Sequence, residues 1–173
     1  MEPPLPPALP MEVQYTRFWC EENIYILARQ FIQEIDSRWK VFVVFISNTT
    51  KTVALLNQRS AMESQRPVIW DYHVILVLRY ECARSKPCLV TSWVYDFDSG
   101  LDIPSTWKDY YLHTFSPVLL VELQSTFRIV SGDQFVDNFA SDRSHMTKGA
   151  RRRAGVPLTS AVIPLYLRAK VCR

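Results

Sequence analysis

One cysteine, one histidine and a pair of aspartates fall where a thiol could be made nucleophilic. Cys20 stands directly before Glu21 and Glu22, which open an amphipathic segment, EENIYILARQFIQEID (21–36). At a helix start, unpaired backbone N–H groups and the helix dipole stabilise a thiolate and lower its pKa from ~8.5 towards ~3.5–7.5. The same N–H groups can face a developing oxyanion. His73 is one of three histidines and sits in an apolar run, PVIWDYHVILVLRY (67–80). Strand alternation places Ile69, Asp71, His73, Ile75 and Val77 on one face and Trp70, Tyr72, Val74 and Leu76 on the other. An imidazole held this way can act as a base if a third group fixes its tautomer. WVYDFD (93–98) offers Asp96 and Asp98 for that task, and alternation leaves the choice between them open because both fall on one face. Blander roles exist for each group: Cys20 as a small buried hydrophobe, His73 as a satisfied core histidine.

The elements that must position these groups are legible as patterns. In 21–36, Ile24, Leu27, Ala28, Phe31, Ile32 and Ile35 form one apolar stripe at helical spacing. Its two glutamates complement the positive end of the dipole. Strand-like runs follow at 41–47, 52–58, 68–80, 88–98 and 127–135, with SNTTK a turn between the first two. ECARSKPC joins the third and fourth, which predicts an antiparallel hairpin. Residues 105–115 predict a short helix capped by Ser105. One helix followed by mainly antiparallel strands is an α+β arrangement in a single domain, and 173 residues suffice for a real core. A thiol on a helix, with histidine and then aspartate on adjacent strands, is the order of papain-like and transglutaminase-like enzymes.

Composition bounds the alternatives. MEPPLPPALP holds five of the eleven prolines and reads, with the next two residues, as a disordered leader over 1–12. It has neither the basic nor the apolar region of a signal peptide. The apolar runs are too short to span a bilayer, so no membrane role is expected. Four cysteines (Cys20, Cys82, Cys88, Cys172) show no zinc spacing and read as cytosolic thiols, although Cys82 and Cys88 could bridge under oxidation. The net charge of +3 is unevenly spread: seven basic and no acidic residues follow Met146, leaving 13 basic against 17 acidic residues before it. KGARRR alone is usually solvated surface, and no nucleic-acid partner is expected.

FWCEENIY (18–25), VFISN (44–48), PVIWDYHVILV (67–77), VYDFDS (94–99) and NFASDRSHM (138–146) resemble, in order, the protein N-terminal glutamine amidohydrolase family. The resemblance implies a monomeric α/β sandwich related to transglutaminases, without metal or other cofactor, working in cytosol and nucleus. It implies deamidation of an N-terminal glutamine side chain on proteins or peptides, giving N-terminal glutamate and ammonia and feeding the arginylation branch of N-degron degradation. It assigns Cys20 as nucleophile, His73 as base and Asp96, the first aspartate of YDFD, as orienting carboxylate. Rejection of asparagine, one methylene shorter and worth only ~1–3 kcal/mol as pocket burial, calls for an anchor on the substrate α-ammonium. Glu21, Glu22 or Asp71 could supply it, against ordinary roles as dipole complement or structural carboxylate. Asp142 and Arg143 read as stabilising a turn, and His145 falls outside the triad.

The resemblance runs from residue 18 to 146. Family members continue with a proline-rich stretch ending in PYPC and further sheet segments, where this chain has TKGARRRAGVPLTSAVIPLYLRAKVCR (147–173). The expected organisation is therefore a leader (1–12), an amidohydrolase domain (13–146) and a divergent basic tail (147–173), as from an alternative splice or a shifted frame. Three readings follow: an active amidohydrolase, another thiol protease or acyl transferase of this architecture, or a non-catalytic isoform that only binds.

Overall fold

The computed structural model describes residues 5–63, 66–82, 91–116 and 120–140. The basic tail, Cys88, Cys172, Asp142, Arg143 and His145 lie outside them. Helix α1 (Cys20–Glu34) forms where the apolar stripe predicts it, and buries Cys20, Asn23, Ile24, Leu27, Ala28 and Phe31. Its stripe has one face of sheet to cover. In that sheet β1 (Trp39–Ser47) lies between the central β4 (His73–Tyr80) and the edge strand β7 (Thr126–Ser131), with β5 (Ser92–Tyr95) and β6 (Ser105–Thr106) continuing beyond β4. Every neighbouring pair is antiparallel. Strands β2 (Val53–Leu55) and β3 (Val68–Trp70) make a separate two-stranded sheet.

Alternation along β1 and β4 divides the core in two. Val43, Val74, Leu76 and Leu78 face α1 and Phe135 of the short helix α3 (Gly132–Asp137). Val44, Ile46, Ile75 and Val77 face the other way, against Val53 and Leu55 of β2, Trp70 of β3 and Tyr110 of helix α2 (Trp107–Thr114). The result is one small α+β domain with a mainly antiparallel sheet. Among the described residues no helix is long and apolar enough to cross a membrane.

Several local readings change. The run 68–80 is not one strand: Asp71 and Tyr72 break it, and the two halves join different sheets. Parity is lost at that break, so Trp70 and His73, expected on opposite faces, lie with ring centroids 5.0 Å apart. The run 127–135 ends as a strand at Ser131, whose hydroxyl caps α3 by accepting from Gln134 N at 3.4 Å. Helix α2 is capped by Thr106 rather than Ser105, its hydroxyl accepting from Asp109 N at 3.1 Å. Residues 5–12 form neither helix nor strand, yet Leu9 packs on the α1 side of the core and the Tyr95 hydroxyl donates to the Pro7 carbonyl. Composition alone points to disorder there. Prolines already limited in backbone freedom cost less to order, and a single partly buried leucine supplies contact. Cys82 is disulfide-bonded rather than a free thiol.

Candidate active site

Because β4 and β5 are antiparallel neighbours, the start of β4 and the end of β5 lie at the same edge of the sheet. His73 is the first residue of β4, and Asp96 follows the last residue of β5. Helix α1 packs on β4 and begins at Cys20. The fold therefore brings the helix start, the histidine and the aspartate to one place, from three elements far apart in sequence.

His73 Nε2 lies 2.9 Å from Asp96 Oδ1, with 0% and 2% of the respective side chains exposed. The Asp96 carboxylate is held on every side: Oδ1 also accepts from Asp98 N at 3.0 Å, and Oδ2 accepts from the Tyr110 hydroxyl at 2.8 Å. Burial pushes the Asp96 carboxyl up, but the charge and hydrogen bond of His73, with those from Tyr110 and Asp98 N, bring it below the ordinary carboxylate range. Burial pushes His73 down most strongly, but the charge and hydrogen bond of Asp96, with Cys20 adding to them, together outweigh it, so the imidazolium form is stabilised and the pKa lies well above the usual histidine range. Asp96 thus fixes Nε2 and leaves Nδ1 for the thiol.

Cys20 is buried and carries a free thiol. Burial pushes that thiol up, while His73 and the Val74 N–H pull it down without prevailing. At this helix start, burial is the largest influence on the thiol, and the Glu21 charge adds to it. No side-chain hydrogen bond caps α1, whose N-cap is Trp19. Among the described residues His73 Nδ1 makes no hydrogen bond of good geometry, although its neighbour Cys20 is close enough to shift its titration. Such loose contacts commonly tighten only when substrate binds. A buried thiol beside an imidazole whose protonated form is stabilised can pass its proton to Nδ1 and attack an electrophilic carbon.

Of the two candidate aspartates, Asp96 faces the imidazole. Asp98 Oδ1 instead accepts from the half-exposed Tyr15 hydroxyl at 2.6 Å, and burial, reinforced by Asp96, raises its carboxyl. The candidate anchors are spread out. Glu21 borders a groove of about 500 Å3 shared with Phe45, Arg128, Gln134, Asn138 and Phe139. Tyr72, its phenol raised first by burial and then by the Glu21 charge, faces the same carboxylate. Glu22 sits in the first turn of α1, partly buried. Asp71 lies exposed in the β3–β4 break, its Oδ1 accepting from Tyr72 N at 3.0 Å, so strand alternation does not carry it to the face of His73.

His73, Asp96 and Asp98 are the one group among the described residues whose ligand atoms cluster within 4.8 Å. Those atoms already bond one another and Tyr15, so the set fits a hydrogen-bonded network better than a cation cage. Three contributors carried no signal in sequence. Tyr110 stood in a short helix with weak patterning. Asn23 lay inside an apolar stripe, yet its side chain clamps Thr16 N and Thr16 O at 2.9 and 2.8 Å and so ties down the segment before Cys20. Phe18 adopts φ 66° in that segment, a conformation rare for a bulky residue, with its ring 6.3 Å from Trp70.

Residues 15–163 match the family model described as N-terminal glutamine amidase. The match passes Met146, where motif resemblance ends. The chain is 40% identical over 138 residues to the protein N-terminal glutamine amidohydrolase of Arabidopsis thaliana, covering 77% of this chain and 60% of that one. The proteins of the same name from Caenorhabditis elegans and Oryza sativa subsp. indica are 33% and 34% identical, covering 78% and 76% of this chain and 69% and 58% of theirs. The chain thus spans about 60% of the length of the Arabidopsis protein. With a family match across most of its length, and its helix-start thiol, histidine and aspartate gathered at one edge of the sheet, this chain belongs to the N-terminal glutamine amidase family.

Proposed function

We propose that the chain is a thiol amidohydrolase that converts an N-terminal glutamine of a protein or peptide to glutamate and releases ammonia. The observation that carries this reading is the buried His73–Asp96 pair, 2.9 Å apart through Nε2, beside the buried thiol of Cys20. Family membership and the names of the relatives support the choice of amide.

In this mechanism Cys20 gives its proton to His73 Nδ1 and the thiolate attacks the δ-carboxamide carbon. Backbone N–H groups at the start of α1 receive the oxyanion. The imidazolium returns the proton to the departing ammonia, leaving a γ-thioester, which a water deprotonated by His73 hydrolyses. Asp96 holds the ring and stabilises its cation throughout. No metal or other cofactor enters these steps.

Glu21 is the leading anchor for the α-ammonium, because it adjoins the nucleophile and borders a groove able to take the following residues. Glu22 and Asp71 stand behind it. If the anchor reading holds, changing the right one to its amide raises KM; unchanged KM in all three dismisses it. The same reading extends to a transglutaminase-like and papain-like architecture, a monomer of cytosol and nucleus, a product passed to the N-degron pathway, and no nucleic-acid or membrane partner.

The test is ammonia release by the 173-residue chain. Substrates are a Gln-initiated peptide, its Asn-initiated twin and its N-acetylated form. Release from the free Gln peptide alone is the expected result. Equal release from the acetylated peptide would make the enzyme a general amidase and overturn the assignment.

A further inference from the structure

Resting on the thiol mechanism above, one contact outside the three reacting groups controls their geometry. An aspartate side chain has a single terminal torsion, and rotation about it decides which oxygen, at what angle, meets the imidazole. In this site the torsion is pinned from two sides. Asp98 N holds Oδ1 at 3.0 Å, and the Tyr110 hydroxyl holds Oδ2 at 2.8 Å. We propose that Tyr110 is a positioning residue for the reaction, its hydroxyl locking the Asp96 carboxylate in the rotation that presents Oδ1 to His73 Nε2.

Tyr110 is built to hold that place. It is 0% exposed, so bulk solvent does not compete for its hydroxyl. Its ring sits between Trp107 and Phe115, with centroids 6.2 and 6.0 Å away. Helix α2 is itself fixed at both ends: Thr106 caps the start, and near the end Asn57 Nδ2 donates to the His113 carbonyl at 2.6 Å and Leu56 N to the Thr114 carbonyl at 2.9 Å. Tyr110 touches neither Cys20 nor His73 through any hydrogen bond among the described residues, so its influence passes through Asp96. The titratable groups around the network are Asp98 beside Asp96 and Tyr110, and Cys20 and Asp98 beside His73.

The test is Tyr110→Phe in the full chain, which keeps the ring and removes the oxygen. A positioned base contributes on the order of 10²- to 10⁴-fold to rate, and loosening its orienting carboxylate forfeits part of that. The expected result is a fall in kcat of about 10-fold with KM unchanged. An NMR titration of the His73 ring provides the readout that packing would not move. If the hydroxyl positions Asp96, its loss weakens the Nε2–Oδ1 bond and the His73 midpoint falls. If the hydroxyl only adds a dipole, its loss leaves the imidazolium better stabilised and the midpoint holds or rises, which overturns the proposal.

A double variant supplies the second arm. In an Asp96→Ala background, Tyr110→Phe should change neither kcat nor the pH profile of Cys20 alkylation by iodoacetamide. A further 10-fold loss there means that Tyr110 acts independently of Asp96. Should the wild-type chain release no ammonia, the amidase reading fails alone, because His73 titration and Cys20 alkylation decide the role of Tyr110 without turnover.

Discussion

Replacing Asp96 separates what its charge contributes from what its oxygens accept. Three buried donors end on this carboxylate: His73 Nε2 at 2.9 Å, Tyr110 Oη at 2.8 Å and Asp98 N at 3.0 Å. Asp96→Ala removes the two oxygens that accept from all three, and an orphaned buried donor costs about 1–3 kcal/mol. The Tyr110 proton can turn to Thr114 Oγ1, which has no other hydrogen-bond partner among the described residues. The loss should therefore total about 3–5 kcal/mol, which for a chain of this size lowers Tm by roughly 10 °C. Asp96→Asn keeps an oxygen for His73 and Asp98 N and gives up the charge and the acceptor for Tyr110, whose proton can turn to Thr114 Oγ1 while the new amide N–H donates to the Tyr110 oxygen, so its cost should stay near ~1 kcal/mol. Thermal unfolding followed by circular dichroism measures both.

The charge component has its own pH signature. Asp96 is held below its ordinary range, so its contribution is present above about pH 4 and is lost as pH falls through the folded value. His73 is raised, so its contribution is full below about pH 6.5 and is lost as pH rises through the folded value. The wild type should exceed Asp96→Asn in stability most between about pH 4 and 6.5, with the gap closing on both sides. An Asp96→Ala protein melting within 2 °C of wild type, or an Asn variant as unstable as the Ala one, would refute the accounting of donors.

Two further perturbations probe the frame around the site. Gly132 begins α3 against the sheet, and an added Cβ would lie 2.7 Å from Val41 Cγ1 and 2.8 Å from Val41 Cβ. Gly132→Ala should destabilise by about 1–3 kcal/mol in denaturant titrations, because overpacking outweighs the gain in helix propensity. Asn23→Ala removes both side-chain bonds to the Thr16 backbone, a loss of about 2 kcal/mol. It should also speed amide exchange over residues 16–20 more than in β4.

What sequence could reveal divides along physical lines. Helix α1 was readable because its stripe of Ile24, Leu27, Ala28 and Phe31 repeats at the helical period and faces one sheet. The β4–β5 hairpin was readable because two apolar runs flank a loop that can turn back, and their pairing is antiparallel. The break at Asp71–Tyr72 was not, since a continuous apolar run carries no mark of where its halves leave for different sheets. Residue parity therefore misplaced Trp70 relative to His73. Choosing Asp96 over Asp98 rested on motif resemblance, and in the structure the difference lies in tertiary partners, His73 for one and Tyr15 for the other. The surroundings of the thiol divide in the same way: a helix start is visible in sequence, while the depth at which Cys20 is buried is not. Tyr110 reaches the site only because α2 packs on the far face of the sheet, an arrangement no local pattern encodes.

The central claim is that Cys20 is the nucleophile of an amide hydrolysis at N-terminal glutamine. Its most direct test is mass spectrometry of a Gln-initiated peptide and of the acid-quenched protein after incubation together. The account predicts conversion of glutamine to glutamate in the peptide and an adduct of peptide minus ammonia on Cys20, both absent in folded Cys20→Ala. Conversion that persists in Cys20→Ala, or none by the folded wild-type chain, would contradict it.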